Sequence, residues 1–265
     1  MMNILIPTDF SENSENAIRY ALDYFSEIPV NFYLIHISEE NESSLPLKNR
    51  KISSLKNQLT NCKLWAKNPI HTFSAINEQG LLVEAIRKQV AEKEIDFMVL
   101  GTKGTSKESS IEKRSNTWEI ITKVKCPVFI IPPNAKFKSL LNISLLTDYN
   151  CIYRHKVIST LSEALQLQQA ALRVLHIRLQ NLQLNSAQTD NKGFLHYFFR
   201  DSMHSFHYLD NNKVEAGLQD FVKTWEIGLI AVVAKNLNLM QRLLFNPHGQ
   251  FISFPREVPF LILHE

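Results

Sequence analysis

Short apolar runs alternate with amphipathic stretches through the first half of the chain. The runs ILIPT, NFYLIHI, DFMVLG and VFIIP have the length and composition of buried strands, and IHTFSAI has the amphipathic character of a half-exposed strand. Between these runs, apolar residues recur at helical spacing. The first such stripe follows Ser11, which is well placed as the N-cap of the helix, and others lie around residues 52–62, 81–90 and 118–124. Apolar strands that alternate with helices predict a parallel sheet covered on both faces.

The second half follows the same pattern with weaker contrast. It predicts helices within 151–167 and 213–223, and strands at 142–147, 171–177, 204–209, 228–234 and 259–264. The stretch 178–200 fits neither pattern clearly, although Leu195, Phe198 and Phe199 indicate that part of it is buried.

Four segments of the first half return in the same order in the second half, 132 to 140 residues later. NILIPTD at residue 3 returns as NISLLTD at 142, and LIHI at 34 returns as VLHI at 174. DFMVLGTKG has a weaker counterpart in GLIAVVAKN, and CPVFIIP has one in VPFLILH. This repetition predicts two domains, 1–135 and 139–265, joined near PPNAKFKSL, where two prolines end the preceding strand.

Composition excludes several classes of partner. Lys and Arg total 29 against 26 Asp and Glu, and a net charge of +3 with scattered basic residues does not indicate nucleic-acid binding. No apolar run approaches the roughly 18–20 residues of a membrane span, and the opening MMNILIPTDF lacks the basic start of a signal peptide. Three cysteines without a C-x-x-C pair indicate free thiols, so we expect a cytoplasmic protein.

The segment LGTKGTSKESSIEKRSNTW contains the chemistry most suggestive of a ligand. It begins with Gly101 and Gly104, directly after a predicted strand, and leads into a predicted helix. Glycines let backbone N–H groups approach phosphate oxygens, and a helix N-terminus favours an anion. A bare G-x-x-G is weak by itself, but its position between strand and helix is the one that phosphate loops occupy.

These segments resemble the universal stress protein family. NILIPTDFSENSENAIRYAL resembles the opening of such proteins, VLGTKGTS…SNTW…CPVFIIP resembles their closing third, and the second half looks like a diverged copy. The resemblance implies an α/β fold of two tandem flavodoxin-like or Rossmann-like domains, each a five-stranded parallel sheet flanked by helices. It also implies an internal pseudo-dimer paired through the last strands, 128–131 and 259–263, and allows a further homodimer.

The resemblance implies an ATP site in the first domain. Many members of the family bind ATP through G-x-x-G, nine residues, then G-[S/T]; in this chain Arg114 stands at the third glycine and Ser115 at the hydroxyl position. Asp9 matches an aspartate that contacts the nucleotide, and Ile37 a position that faces the adenine. ATP, with Mg²⁺, is thus the expected cofactor. The nucleotide-binding residues expected are Pro7, Thr8, Asp9, Ile37, Gly101, Thr102, Gly104, Arg114, Ser115 and Asn116.

Arg114 leaves two functions open. An arginine blocks a site that needs a positive φ or close backbone approach there, but it is also a good phosphate ligand. The leading hypothesis is a stress protein that binds ATP or a related nucleotide and regulates through binding; the alternative is a nucleotide-free interaction scaffold with unknown protein partners. A weak ATP hydrolase is a third reading, although no catalytic residues are apparent. In the second domain Val233 and Asn236 replace the glycines, so no ATP site is expected there although Asp148 is kept.

The histidines are expected to be structural. His36 and His176 occupy equivalent places late in the second strand of each repeat and are expected to be packed and hydrogen-bonded. His204 and His207 are three residues apart on a predicted strand and so face opposite sides, which argues against a shared metal ion. The aromatic stretch that also contains His196 is expected to pack or to form a partner surface.

Overall fold

A computed structural model of the chain describes residues 1–38, 45–102, 116–178, 183–210, 214–235 and 257–264. By its internal contacts the chain divides into two units, Met1–Phe137 and Lys138–Glu265. Within each unit the strands run parallel and alternate with helices, so the predicted α/β fold class is confirmed.

The described part of the first unit alternates strictly between strands and helices. In chain order its elements are β1 (Met2–Pro7), α1 (Glu12–Tyr24), β2 (Val30–Ser38), α2 (Leu45–Trp65), β3 (Thr72–Gln79), α3 (Leu82–Glu92), β4 (Phe97–Gly101), α4 (Asn116–Lys123) and β5 (Val128–Ile131). The strands lie in the order β3-β2-β1-β4-β5, and every pair of neighbours is parallel. This is the doubly wound arrangement, in which the chain moves outward from β1 first in one direction and then in the other.

An aromatic cluster fills the core of the first unit beneath α1. Phe25, Phe97 and Phe129 are each about 1% exposed, and their ring centroids lie 5.4 to 6.0 Å apart. Tyr24 adds a ring 4.8 Å from that of Phe129. Because full burial of such a side chain contributes about 1.5–3 kcal/mol, this cluster holds the C-terminal end of α1 against β4 and β5.

The second unit repeats this topology. Its described elements are β6 (Asn142–Thr147), α5 (His155–Gln168), β7 (Ala171–Arg178), α6 (Ser186–Phe198), β8 (His204–Asp210), α7 (Val214–Thr224), β9 (Ile227–Val233) and β10 (Phe260–Leu263). The strand order β8-β7-β6-β9-β10 is the counterpart of that in the first unit, and the strands are again parallel. The segment with no clear sequence period contains α6, within which Leu195 is fully buried while Phe198 is 37% exposed.

Three further features concern the hydropathy of the helices, the cysteines and the side chains that could hold a metal ion. Among the described residues, no helix is long and apolar enough to cross a membrane. Cys62, Cys126 and Cys151 are not in disulfides, and the first two are buried. Within the same residues, no cluster of three or more His, Cys, Asp or Glu side chains is placed to hold a metal ion.

Candidate functional site

The carboxyl ends of β2, β1 and β4 form the edge of the first unit at which the strand order reverses. β1 pairs with β2 on one side and with β4 on the other, so the loops that leave β1 and β4 diverge to opposite faces of the sheet. Doubly wound sheets bind their ligands in the crevice at such a switch point. The sequence-predicted residues Pro7, Asp9, Ile37 and Gly101 all lie on this edge.

The loop after β1 has a fixed internal structure. Thr8 is 6% exposed, and its hydroxyl oxygen accepts a hydrogen bond from the Phe10 N–H at 3.1 Å. The same oxygen lies 3.1 Å from the Ser14 hydroxyl on α1. Phe10 takes a left-handed backbone conformation with φ of 64°, which is uncommon for a bulky residue and is typical of functional loops.

Asp9 is exposed and is held by the N-cap residue of α1. The Ser11 N–H and hydroxyl both donate to Asp9 Oδ1, at 3.1 and 2.5 Å. The Ser11 hydroxyl oxygen in turn accepts from the Ser14 N–H at 3.3 Å, as an N-cap does. The carboxylate is therefore oriented at the rim of the edge, close to a helix N-terminus that favours its negative charge.

We expect Ser11→Ala to lower the free energy of unfolding by about 1 kcal/mol, because α1 loses its cap. The substitution also removes one of the two hydrogen bonds that orient Asp9. Urea unfolding measures the change. Ser53→Ala is the matched control, since Ser53 is exposed inside α2 and alanine is the better helix former there. Equal stability of the two variants contradicts the role of Ser11.

His36 packs against Phe10 of this loop, with the two rings tilted by 35°. The Nδ1–H of His36 donates to the carbonyl oxygen of Thr8 at 2.9 Å, and the His36 and Phe10 ring centroids are 4.5 Å apart. His36 is 7% exposed, as expected for a packed histidine, and its Nε2 has no hydrogen-bond partner among the described residues. Ile37 follows, half-buried, and provides apolar surface at the carboxyl end of β2.

Gly101 ends β4 where the backbone of α1 passes closest. A Cβ on Gly101 would lie 2.3 Å from the Asn13 carbonyl oxygen and 3.1 Å from the Ser14 backbone nitrogen. Helix packing alone therefore requires glycine at this position. Thr102, next in the chain, is 3% exposed and uses its backbone N–H to bind the Ile131 carbonyl oxygen at 3.1 Å. Its hydroxyl contacts the same oxygen, so the Thr102 side chain belongs to the interior.

The remaining residues predicted to bind the nucleotide are those expected to contact its phosphates. Asn116 is exposed and is the first residue of α4. Gly104, Arg114 and Ser115 lie outside the described residues.

The loop after β6 in the second unit has the same contact between an aromatic residue and a histidine, but side chains of α6 cover it. Tyr149, with φ of 57°, stacks on His176 at 4.7 Å, and His176 Nδ1 lies 3.2 Å from the Thr147 carbonyl oxygen. Here, however, Asp148 is only 6% exposed and Tyr149 only 2%. Two side chains of α6 lie over them, because Gln188 donates to the Asp148 carbonyl oxygen at 2.9 Å and Asn191 donates to that of Tyr149 at 2.8 Å.

Sequence reasoning missed the contact between the loop aromatic and the histidine in each unit. The signal was present, because a Thr-Asp-aromatic triplet recurs after the first strand of each half and a histidine recurs near the end of the second strand. Only the parallel pairing of β1 with β2, and of β6 with β7, brings each histidine under its triplet.

A parallel sheet with this strand order and a polar loop at its switch point defines a doubly wound α/β protein of the flavodoxin-like type. The sequence model of the Universal stress protein family matches residues 1–132. The chain thus belongs to the universal stress protein family through its first half. The second unit repeats the topology, so a tandem arrangement of two such domains is consistent with the whole chain.

Solved structures resemble the chain in fold. A universal stress protein from Archaeoglobus fulgidus matches 99% of this chain and 98% of its own with a TM-score of 0.74 and 14% identity. A functionally unknown protein from Pseudomonas aeruginosa matches 99% of this chain and 92% of its own, with a TM-score of 0.54 and 11% identity. A universal stress protein in complex with cAMP matches 49% of this chain and 96% of its own, with a TM-score of 0.39 and 16% identity. A comparison with curated proteins finds no match.

Proposed function

We propose that the first unit binds ATP or a related nucleotide at the switch-point edge, and that the protein serves a stress response through binding and regulation rather than turnover. The observation that carries this proposal is the Asp9 carboxylate, which is exposed and held by two hydrogen bonds from Ser11 at that edge. A fixed acceptor at a switch point is a suitable partner for ribose hydroxyls or an adenine amine.

The edge offers both a polar and an apolar contact for a nucleoside. Asp9 supplies the hydrogen-bond acceptor, and half-buried Ile37 on the adjacent strand supplies apolar surface for a base. Thr8 and His36 are buried, and His36 donates a hydrogen bond to the Thr8 carbonyl oxygen, so in this proposal their side chains position the loop. These two strand ends therefore fit the nucleoside part of the expected cofactor.

The phosphates would lie between the end of β4 and the start of α4. Gly101 and Asn116 border the intervening segment, which contains Gly104, Arg114 and Ser115. In this proposal Arg114 serves as a phosphate ligand in place of the third glycine, since its guanidinium pairs well with phosphate. Mg²⁺ would accompany ATP as a phosphate-bound ion.

The proposal assigns the nucleotide to the first unit alone. Asp148, the counterpart of Asp9, is buried beneath the Gln188 and Asn191 side chains of α6, whereas Asp9 is exposed. A ligand at the second edge would have to displace both hydrogen bonds that these amides make to the loop.

One observation favours the alternative, a nucleotide-free interaction scaffold. Gly101 is required by its contact with the α1 backbone, so its presence does not by itself indicate a phosphate loop. Under this alternative the edge is intact and binds no nucleotide. Denaturing the purified protein and analysing the released small molecules by chromatography is the first test that separates the two functions.

We expect Asp9→Asn to weaken ATP binding about tenfold or more, because a hydrogen bond to a charged acceptor contributes about 1.5–3 kcal/mol. Asparagine still accepts the Ser11 hydrogen bonds, so the loop keeps its structure. Calorimetric titration of nucleotide-free protein with ATP and Mg²⁺ measures the affinity.

Glu27→Gln is the matched control for this experiment. Glu27 is exposed in the turn between α1 and β2, at the amino end of the sheet, and the substitution makes the same change in charge. The proposal predicts that Glu27→Gln binds ATP as the unaltered protein does. No saturable binding by the unaltered protein up to millimolar ATP, or equal affinity of the two variants, overturns the assignment to this edge.

A further inference from the structure

Two histidines that are eight residues apart in sequence meet at the surface of the second unit. His196 lies near the end of α6 and His204 begins β8, and the Nδ1 of His196 is 2.9 Å from the Nε2 of His204. His196 is exposed and His204 is half-buried. His207 faces the other side of β8, where its ring contacts Phe221 and Trp225. The prediction that His204 and His207 point apart is thus confirmed, but His204 has a different histidine as its neighbour.

The hydrogen bonds of His204 fix which of its nitrogens carries a lone pair. Its Nδ1 lies 2.9 Å from the Ser202 carbonyl oxygen, which can only accept, so Nδ1 bears the proton. In the neutral ring Nε2 then has the lone pair, which accepts a hydrogen bond from the Nδ1–H of His196. Metal-binding histidines have this arrangement, in which one ring nitrogen donates to a backbone carbonyl while the other faces the metal.

The two ring nitrogens are close enough to bind one metal ion together. Ligand nitrogens about 2.0–2.1 Å from a metal are about 2.9 Å apart at a right angle and about 3.3 Å apart at a tetrahedral angle. The observed 2.9 Å is the length of the N–H···N hydrogen bond from His196 to His204, and it is close to the right-angle spacing. Cu²⁺ and Ni²⁺ prefer such tetragonal sites, and Cu²⁺ binds nitrogen ligands most tightly of the divalent first-row metals.

The Phe206 side chain packs against both histidine rings. The His204 ring packs edge to face on Phe206 at 5.6 Å, and the His196 ring lies 6.1 Å from Phe206. The Lys192 ammonium approaches the same ring at 5.5 Å, so a bound metal ion would add to positive charge that is already present. With two ring nitrogens as protein ligands, the other positions on the metal are left to water or to an anion.

We propose that His196 and His204 form a two-histidine site for Cu²⁺, with the Ser202 carbonyl oxygen as its orienting partner. Binding moves the His196 proton from Nδ1 to Nε2, so that Nδ1 provides the second lone pair. One proton leaves the ring and one is taken up, and the histidine pair releases none overall. This site lies on the second unit and is independent of the nucleotide proposal.

Copper binding by the tag-free, chelator-stripped protein tests the inference. We expect one equivalent of CuCl₂ to bind, with a paramagnetic resonance spectrum split by two imidazole nitrogens and an affinity at least tenfold above that for ZnCl₂. His196→Ala should lower the copper affinity at least tenfold, and His196→Gln should do the same. His155→Ala is the matched control, because His155 is an exposed histidine in the same unit at the start of α5, and it should leave the affinity unchanged.

Each possible result decides the question. The two-nitrogen spectrum together with loss of affinity in both His196 variants supports the site. Equal affinity in His196→Ala and the unaltered protein, or a spectrum without nitrogen splitting, overturns it. Circular dichroism of the variants checks that they fold, which the exposure of His196 favours.

Discussion

Gly101→Ala is expected to lower the free energy of unfolding of the first unit by about 3 kcal/mol, at the upper end of the usual effect of overpacking. The new methyl group would lie 2.3 Å from the Asn13 carbonyl oxygen and 2.7 Å from the Asn13 carbonyl carbon. Because both neighbours are backbone atoms, no side-chain rotation can relieve the clash. Either α1 moves away from β4 or β4 distorts, and the aromatic cluster beneath α1 resists the first of these.

Gly193→Ala provides the matched control. Gly193 lies within α6, and nothing approaches within 4 Å of a Cβ placed there. The same substitution should therefore raise the stability of the second unit by about 0.5–1 kcal/mol, since alanine is the better helix former. Urea unfolding followed by hydrogen exchange, resolved by peptide, assigns each change to its unit. A Gly101→Ala protein as stable as the unaltered one contradicts the close approach of α1 to β4.

The same substitution also distinguishes the two proposed functions. The clash involves the first turn of α1, and Ser11, which caps that turn, also holds the Asp9 carboxylate. If the edge binds a nucleotide, folded Gly101→Ala protein should bind it more weakly, because the loop that orients Asp9 is displaced. If the protein is a nucleotide-free scaffold, the loss of stability is the only effect.

The strands were predictable because burial on both faces leaves a plain sequence signal. The run predicted at 142–147 is β6 (Asn142–Thr147), and the run ILIPT lies mostly within β1 (Met2–Pro7). α6 was not predictable from its period, since Leu195 is its one buried residue among those described and no apolar stripe results. Its start is set locally instead, by a capping box in which Asn185 and Gln188 exchange side-chain and backbone hydrogen bonds.

The sequence predicted which strand ends form the candidate site, but not the contacts that the residues make there. Sequence order alone places Asp9, Ile37 and Gly101 at the carboxyl edge of a doubly wound sheet. The left-handed backbone of Phe10 and its contact with the His36 ring depend on how β1 pairs with β2, which no local pattern encodes. The close approach of α1 to Gly101 is likewise a tertiary contact, and it gives this glycine a structural role that a phosphate-loop motif conceals.

His264 occupies a buried position that no motif identified. It follows β10, is 7% exposed, and has an Nε2 atom without a hydrogen-bond partner among the described residues. Burial, together with the smaller effect of the positive charge of Lys156 on α5, lowers the pKa of His264 to about 4. The folded second unit therefore disfavours the charged imidazole.

This pKa predicts a loss of stability in mild acid, and the sign follows from proton binding. In the unfolded chain a histidine titrates near 6.5, so between pH 6.5 and about 4 the unfolded state binds a proton that the folded state does not. The stabilisation is complete above pH 6.5 and is lost as the pH falls. The second unit should lose about 2 kcal/mol from this group by pH 5 and about 3 kcal/mol by pH 4.

His264→Gln should remove this part of the pH dependence, because glutamine carries no titratable proton. The difference in unfolding free energy between the unaltered protein and His264→Gln should shift by about 3 kcal/mol between pH 7 and pH 4. His207, whose pKa is lowered by burial and by Arg173, contributes in the same direction but is present in both proteins and cancels in the comparison. His155→Gln is the matched control, since His155 is an exposed histidine of the same unit and the substitution is the same. Parallel pH profiles for the unaltered protein and His264→Gln, measured by urea unfolding of the second unit, contradict a buried neutral His264.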